Sequence, residues 1–379
     1  MKPTKILFIS NIAGERVGSF SLASIAAAKA LGMEFHMAAN YGNSTPEQRK
    51  LDEENYGITL HHIDFIRNPL NVRNLKAYEQ VIALIQREEF DAIHCNTPIG
   101  GAIGRMAGKK CGVKKVIYQA HGFHFYNGAP LLNWLIYYPV EQRLARDTDV
   151  LITINREDYE LARSRFRLRG NGRVYCVPGV GIDLEQYTVT TEASSAQKRA
   201  ELQIPQAAFV LISVGELNAN KNNSVVIAAL EKLRNDRIHF VLCGIGNEQR
   251  ALQEQADRAG LHDRVHFLGY RTDVRELYQM ADCFVSASLR EGLPRSTMEG
   301  MASGLPCVAG RIRGNVDLLR CSQLLFNPHS ADELCTALEK AMDKGVAEME
   351  IQENSRTIQR FSMEEAVRAM QQIYQDTFG

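Results

Sequence analysis

Short apolar runs alternate with amphipathic helical stretches along almost the whole chain, and that alternation leaves few folds open. A strand buried on both faces reads as a near-continuous apolar run, and a parallel neighbour is reached only through a crossover, usually a helix. Runs of this kind lie at residues 5–10, 34–39, 92–96, 116–120, 150–154 and 174–178. The text then turns polar, and residues 187–198, rich in Thr, Ser, Glu and Gln, read as an inter-domain segment or a surface excursion. A second series follows at 210–215, 238–244, 265–269, 283–288, 306–309 and 324–326. The pattern predicts an α/β protein with two doubly wound, Rossmann-like domains in series. A length of 379 residues is long for one core and comfortable for two. Residues 362–378 predict a last amphipathic helix, with Met363, Ala366, Val367, Met370, Ile373 and Tyr374 at i, i+3, i+4 spacing.

Composition removes several function classes. Lys and Arg number 44 against 44 Asp and Glu, so the basic excess on which nucleic-acid binding rests is missing. The 8 cysteines are scattered among mostly apolar neighbours with no C-x-x-C, which reads as reduced, buried filling rather than a disulfide or metal framework. The apolar run at 6–9 is too brief for a secretory leader, and no stretch reaches the roughly 18 apolar residues that span a bilayer. A soluble, cytoplasmic protein is expected.

The richest segment is S-A-S-L-R-E-G-L-P-R-S-T-M-E-G-M-A-S-G-L-P-C-V-A at 286–309. It reads as the end of a buried strand (283–288), a tight loop (290–294) and a helix (295–303). Glu291 then sits at a strand's carboxyl end, and Glu299 about two turns into the helix, on a face that can look back at the loop. Ligands of open α/β sheets collect at that edge, where helix N-termini favour anions and side chains hold hydroxyls. The competing reading is a loop cap and a water-facing helix residue. Lys221 stands in a turn rich in Gly and Asn after the strand 210–214, before a helix expected to be capped by Asn222 or Asn223, where a lysine can meet a diphosphate or simply be solvated.

E-G-L-P-x-x-x-x-E at 291–299, followed by G-x-A-S-G-L-P-C-V-A and G-N-x-D-L-L, resembles the C-terminal signature of retaining glycosyltransferases of family 4. Further matches are V-G-E-L-N-A-N-K at 214–221, C-G-I-G at 243–246, V-H-F-L-G-Y-R-T-D at 265–273 and A-D-C-F-V at 281–285. A-H-G-F-H-F-Y-N-G-A-P-L-L-N-W at 120–134 is similar to members that build bacterial capsule or exopolysaccharide. The resemblance implies the GT-B architecture: two Rossmann-like domains facing a central cleft. An acceptor-side domain would span 1–184, a nucleotide-sugar domain 185–359, and a helix at 360–379 would cross back to the first.

The resemblance also implies roles. Glu291 approaches the donor sugar hydroxyls or the reaction centre, Glu299 accepts from the ribose, and Lys221 stabilises the charge growing on the leaving nucleotide. Gly215 shares the Lys221 motif. Backbone amides of Gly292, Leu293 and the neighbours of Pro294 reach the sugar or phosphate, and Pro294 has no amide to give. Tyr270 and Arg271 lie where relatives approach the base, with uracil the commoner choice. His121 projects from the first domain toward donor sugar or acceptor, with His124 a structural residue. Apart from the resemblance, Gly14 and Gly18 lie in the loop after the first strand, which can approach a phosphate or sugar closely or equally serve only to turn the chain. One departure stands out: many relatives have an arginine where this chain has Glu216. Arg290, Arg295, Arg311 or Arg313 can replace it, or Glu216 holds Lys221 in place.

Asp147-Thr148-Asp149 spells the D-x-D of metal-dependent glycosyltransferases but precedes its strand instead of following one, and the histidines lack zinc spacing, so transfer without a metal or other cofactor is expected. Residues 129–140 hold the only tryptophan and two tyrosines, with Arg143 and Arg146 after them and Arg163, Arg165, Arg167, Arg169 and Arg173 further on. Aromatics beside cations suit the cytoplasmic face of the inner membrane, and equally an inter-helix stripe. The expected partners are a nucleotide sugar and a saccharide acceptor, polyprenyl-diphosphate-linked in the fuller reading, and no nucleic acid. Two rivals stay open: a sugar-nucleotide 2-epimerase of the same architecture, and a non-catalytic nucleotide-sugar sensor.

Overall fold

The first of two all-parallel sheets has seven strands: β1 (Lys5–Ile12), β2 (Glu34–Asn40), β3 (Thr59–His62), β4 (Ala92–Asn96), β5 (Lys115–Gln119), β6 (Val150–Thr153) and β7 (Arg173–Cys176), in the order β3-β2-β1-β4-β5-β6-β7. The computed structural model describes residues 2–69, 71–187 and 192–379. Helices α1 (Ser19–Ala30), α2 (Pro46–Tyr56), α3 (Asn74–Glu88), α4 (Pro98–Lys110), α5 (Leu131–Ala145) and α6 (Arg156–Arg165) make the crossovers. The order reverses between β1 and β4, which opens a crevice at the carboxyl ends of those strands. Strand β3 is absent from the sequence reading because Thr-Leu-His-His is short, polar and only partly covered, as edge strands are.

The second sheet has six strands: β8 (Phe209–Val214), β9 (Ile238–Cys243), β10 (Val265–Phe267), β11 (Cys283–Ser286), β12 (Cys307–Gly310) and β13 (Leu325–Phe326), in the order β10-β9-β8-β11-β12-β13. Its helices are α7 (Glu192–Glu201), α8 (Asn223–Leu233), α9 (Gln249–Arg258), α10 (Val274–Met280), α11 (Arg295–Ala302), α12 (Asn315–Leu318), α13 (Ala331–Met342) and α14 (Lys344–Ile358). Here the order reverses between β8 and β11. Successive residues feed opposite cores: Leu211, Phe240, Leu242 and Val285 on one face, Val210, Ile212, Val241 and Phe284 on the other.

Chain contacts define two compact units, Met1–Gly181 with Met363–Gly379, and Ile182–Ser362. The polar stretch at 187–198 enters helix α7 and is not a bare connector; residues 188–191 of it lie outside the described residues. Helix α15 (Met363–Phe378) joins the first unit by burying Ala366, Met370, Ile373 and Tyr374, and the Tyr374 hydroxyl lies 2.8 Å from His94 Nδ1 on β4.

Helix α4 lies unusually close to the first sheet. A Cβ at Gly101 would stand 2.4 Å from the Tyr118 ring, and one at Gly104 2.8 Å from Cys95 Cβ. The same approach buries Arg105 completely, its guanidinium 3.8 Å from the Tyr118 ring centre and 2.8 Å from Glu141 Oε2. Not all cysteines are buried fillers: Cys176 and Cys321 are exposed, and all 8 are free thiols.

Candidate active site

In the second unit, β8 and β11 lie side by side at the reversal of strand order, so the loops that leave them meet. Asn220, in the loop after β8, joins the two: its carbonyl accepts from Leu289 N at 2.8 Å and its Nδ2 donates to the Arg290 carbonyl at 3.0 Å. Asn222 takes the left-handed conformation (φ 52°), which asparagine tolerates better than most residues, and donates to the Ala287 and Pro328 carbonyls at 3.3 and 2.8 Å. It therefore stands at the N-cap position of α8 without capping the helix, contrary to the cap expected from sequence.

This stitching brings Lys221 Nζ to 2.8 Å from Glu291 Oε1. The side chains are 22% and 18% exposed, so the pair is largely withdrawn from water and each charge depends on the other. Gly215 makes room: its φ is +148°, and a Cβ there would meet Lys221 Cε at 3.0 Å. Glu216 is exposed, and Glu291, not Glu216, holds the lysine. Of the four arginines named as substitutes, Arg290 belongs to this loop, and Arg313 reaches it, donating from Nε to the Glu291 carbonyl at 3.2 Å. Arg311 turns to the Leu325 carbonyl and Arg295 to Glu299.

The helix begins at Arg295 as expected, and Glu299, four residues on, sits about one turn into it and not two, since a turn takes 3.6 residues. Its carboxylate accepts from Arg295 Nε at 2.9 Å and from the Tyr278 hydroxyl at 3.2 Å. Burial, with the Glu299 charge adding to it, pushes the Tyr187 hydroxyl up to about 12. Glu299 is thus not the water-facing residue of the competing reading; it is a carboxylate ringed by donors. Leu293 packs against the core and Pro294 precedes the first turn of α11. Gly292 is pressed on by Gly314 (φ +84°), where a Cβ would stand 2.5 Å from the Gly292 carbonyl oxygen.

Other expected residues have surroundings of their own. Arg271 is taken up by Asp273 at 2.7 Å and Glu201 at 3.4 Å, and it holds the Asp273 carboxyl well below the usual range; neighbouring Tyr270 is exposed. In the first unit, His121 follows β5 with both ring nitrogens buried and without protein partners, the Phe20 ring edge-on at 4.6 Å. Burial lowers its pKa to about 4, so the ring is neutral at pH 7 and offers one donor and one acceptor. His124 stacks on Tyr137 at 4.6 Å, a structural contact. The loop carrying Gly14 is exposed, and a Cβ at Gly14 would meet only the Arg16 carbonyl oxygen at 3.9 Å, so nothing there demands glycine. The D-x-D aspartates are occupied structurally: Asp149 accepts from Val116 N at 2.7 Å and pairs with Arg169, while Asp147 pairs with Lys109 at 2.8 Å.

Sequence reasoning passed over Asn220, Tyr278 and Tyr187. Asn220 lies inside the quoted V-G-E-L-N-A-N-K motif and was legible there; the two tyrosines come from elements remote in sequence and carry no local signal. The close approach of the β8 and β9 loops was signalled by C-G-I-G, since a Cβ at Gly244 would stand 1.9 Å from the Gly215 carbonyl oxygen.

Two parallel, doubly wound sheets, the second presenting a lysine and two glutamates on and beyond its strand-end loops, define a GT-B glycosyltransferase. The chain belongs to the group 1 glycosyltransferases of family 4: the family described as "Glycosyl transferases group 1" matches residues 194–358, and "Glycosyl transferase 4-like domain" matches 17–178. It is 34% identical over 98% of its length to EpsD of Bacillus subtilis (strain 168), named as a glycosyltransferase, covering 96% of that protein. Over 74% of its length it is 27% identical to an Escherichia coli UDP-Gal:alpha-D-GlcNAc-diphosphoundecaprenol alpha-1,3-galactosyltransferase, covering 73% of that enzyme. Among solved structures, Anabaena HepE in complex with UDP and glucose superposes with a TM-score of 0.77 at 22% identity, over 98% of this chain and 99% of that one. That likeness speaks to the fold.

Proposed function

We propose that the protein is a retaining hexosyltransferase that moves a sugar from a UDP-sugar to a lipid-linked saccharide acceptor in surface polysaccharide assembly. The observation that carries the reading is the Lys221–Glu291 contact at the joined ends of β8 and β11. A lysine held there as a point charge meets a diphosphate, while Glu291 is free to take sugar hydroxyls once the phosphate draws the ammonium away. Arg313, anchored on the Glu291 carbonyl, supplies the positive charge that Glu216 cannot. Glu299, oriented by Arg295 and Tyr278, accepts from the ribose. His121, neutral and with both nitrogens unpaired within the protein, suits a substrate hydroxyl. The acceptor relation follows the Escherichia coli relative, whose name specifies a diphosphoundecaprenol-linked acceptor.

In the step proposed, the bond from the anomeric carbon to the diphosphate oxygen breaks and one to the acceptor oxygen forms on the same face. The acceptor's proton passes to the departing diphosphate, and no separate base or metal is assigned. The test is a donor screen that measures released nucleotide with and without membrane lipid extract. Acceptor-dependent release supports transfer. Altered donor sugar without acceptor would establish the epimerase, and binding without turnover the sensor.

A further inference from the structure

Helix α5 is apolar on both sides. Its inner side packs Trp134 and Tyr138 on the first core and buries Leu144 and Ala145, and Glu141 is neutralised by Arg105. Its outer side carries Leu131, Leu132, Leu135, Ile136 and Val140, which are 50% to 73% exposed. Spacings of i, i+1, i+4, i+5 and i+9 keep these five on one face. No Asp or Glu occurs from residue 129 to 140. A contiguous apolar stripe of this kind marks a surface that something other than water covers.

The charges beside it decide what. Arg165 lies 5.9 Å from the Trp134 ring centre, Arg163 and Arg167 are exposed nearby in sequence, and Arg143 ends the helix with its guanidinium 3.5 Å from an Asp147 that Lys109 already neutralises. Arg169 and Arg173 do not join this rim, being paired with Asp149 and Asp376. A second copy docked on the same stripe about a twofold axis would set this cationic rim against its own image. An anionic bilayer complements both the apolar stripe and the rim.

We propose that α5 lies in the interface of an anionic bilayer, its five outer side chains at the acyl boundary and Arg143, Arg163 and Arg165 on lipid headgroups. The docking is independent of the transfer reaction. Where the proposed function holds, docking brings a lipid-linked acceptor to the helix that follows the His121 loop. Vesicle binding and nucleotide release are measured separately, so either reading can fail alone.

The experiment is flotation of the full chain with phosphatidylcholine vesicles and with vesicles containing about one-third phosphatidylglycerol, an anionic fraction that attracts basic surfaces. The wild type is expected to float with the anionic vesicles. L131S/L135S/I136S should lower the partition coefficient about tenfold or more while keeping the wild-type melting temperature, since exposed positions contribute little to folding. R163E/R165E should abolish the preference for anionic lipid. A wild type that stays with the unbound fraction, or a serine variant that floats as well as the wild type, would overturn the proposal. So would sedimentation showing a wild-type dimer that the serine substitutions split, which would assign the stripe to self-association.

Discussion

Lys221 and Glu291 neutralise each other at 2.8 Å, so a bound diphosphate must compete with Glu291 for the ammonium. That competition predicts different effects for the two partners. Lys221→Ala removes charge stabilisation of the leaving group and should lower kcat about 100-fold or more, as loss of a donor aimed at developing charge does. Glu291→Gln keeps shape and one acceptor but leaves the part-buried ammonium without its counter-charge, so turnover should fall and the unfolding free energy should drop by about 1–3 kcal/mol. Wild-type rates in both variants, by released-nucleotide assay, would remove these residues from the chemistry. Glu299→Ala should weaken UDP binding about tenfold, the worth of one hydrogen bond to a charged group, with a smaller effect on kcat; titration calorimetry with UDP reads this directly. Both glutamates were legible because they stand in one short motif. Of the donors to Glu299, Arg295 stands in that motif, whereas Tyr278 was not legible because it reaches the carboxylate from another helix.

Helices α4 and α15 show how an element's neighbours, more than its own periodicity, set its tolerance. Gly104 touches Cys95 through the space a Cβ would fill, so Gly104→Ala should destabilise the first unit by about 1–3 kcal/mol despite alanine's better helix propensity. Helix propensity alone predicts the opposite sign, and a denaturant titration decides between them. Tyr374→Phe leaves His94 Nδ1 buried without its partner and should cost about 1–3 kcal/mol. The sequence pattern located α15 within one residue of its start and named four of its buried positions, Ala366, Met370, Ile373 and Tyr374, because a 3.6-residue repeat reports which side of a helix is apolar; Met363 and Val367 are only partly covered, and Thr377, polar, carried no signal. It carried no information on the surface that the apolar side would meet.

Taken over the whole molecule, the histidines tie stability to pH. Burial lowers His94 to about 3, and His61 and His266 to about 4, so the folded chain refuses protons that the unfolded chain accepts below about 6.5. Stability is then full above pH 6.5 and falls as the pH drops from 6.5 toward 4. Urea midpoints should decline between pH 7 and 5, and a flat profile would show that these rings find compensating partners on protonation. Among the described residues no helix is long and apolar enough to cross a membrane. By itself the sequence determined the order of every strand but β3, the last helix and the helix of the chemical motif, the two-sheet α/β class, and the placement of that motif at strand ends. Those features follow from local periodicity and from the rule that parallel strands need crossovers. Only the tertiary structure decided which side chains meet which groups: Lys221 with Glu291 across 70 residues, Arg313 with the Glu291 carbonyl, and Arg271 with Asp273. Side-chain pairing depends on which strands become neighbours, and a repeat of two or 3.6 residues fixes which face is buried without stating what lies against it.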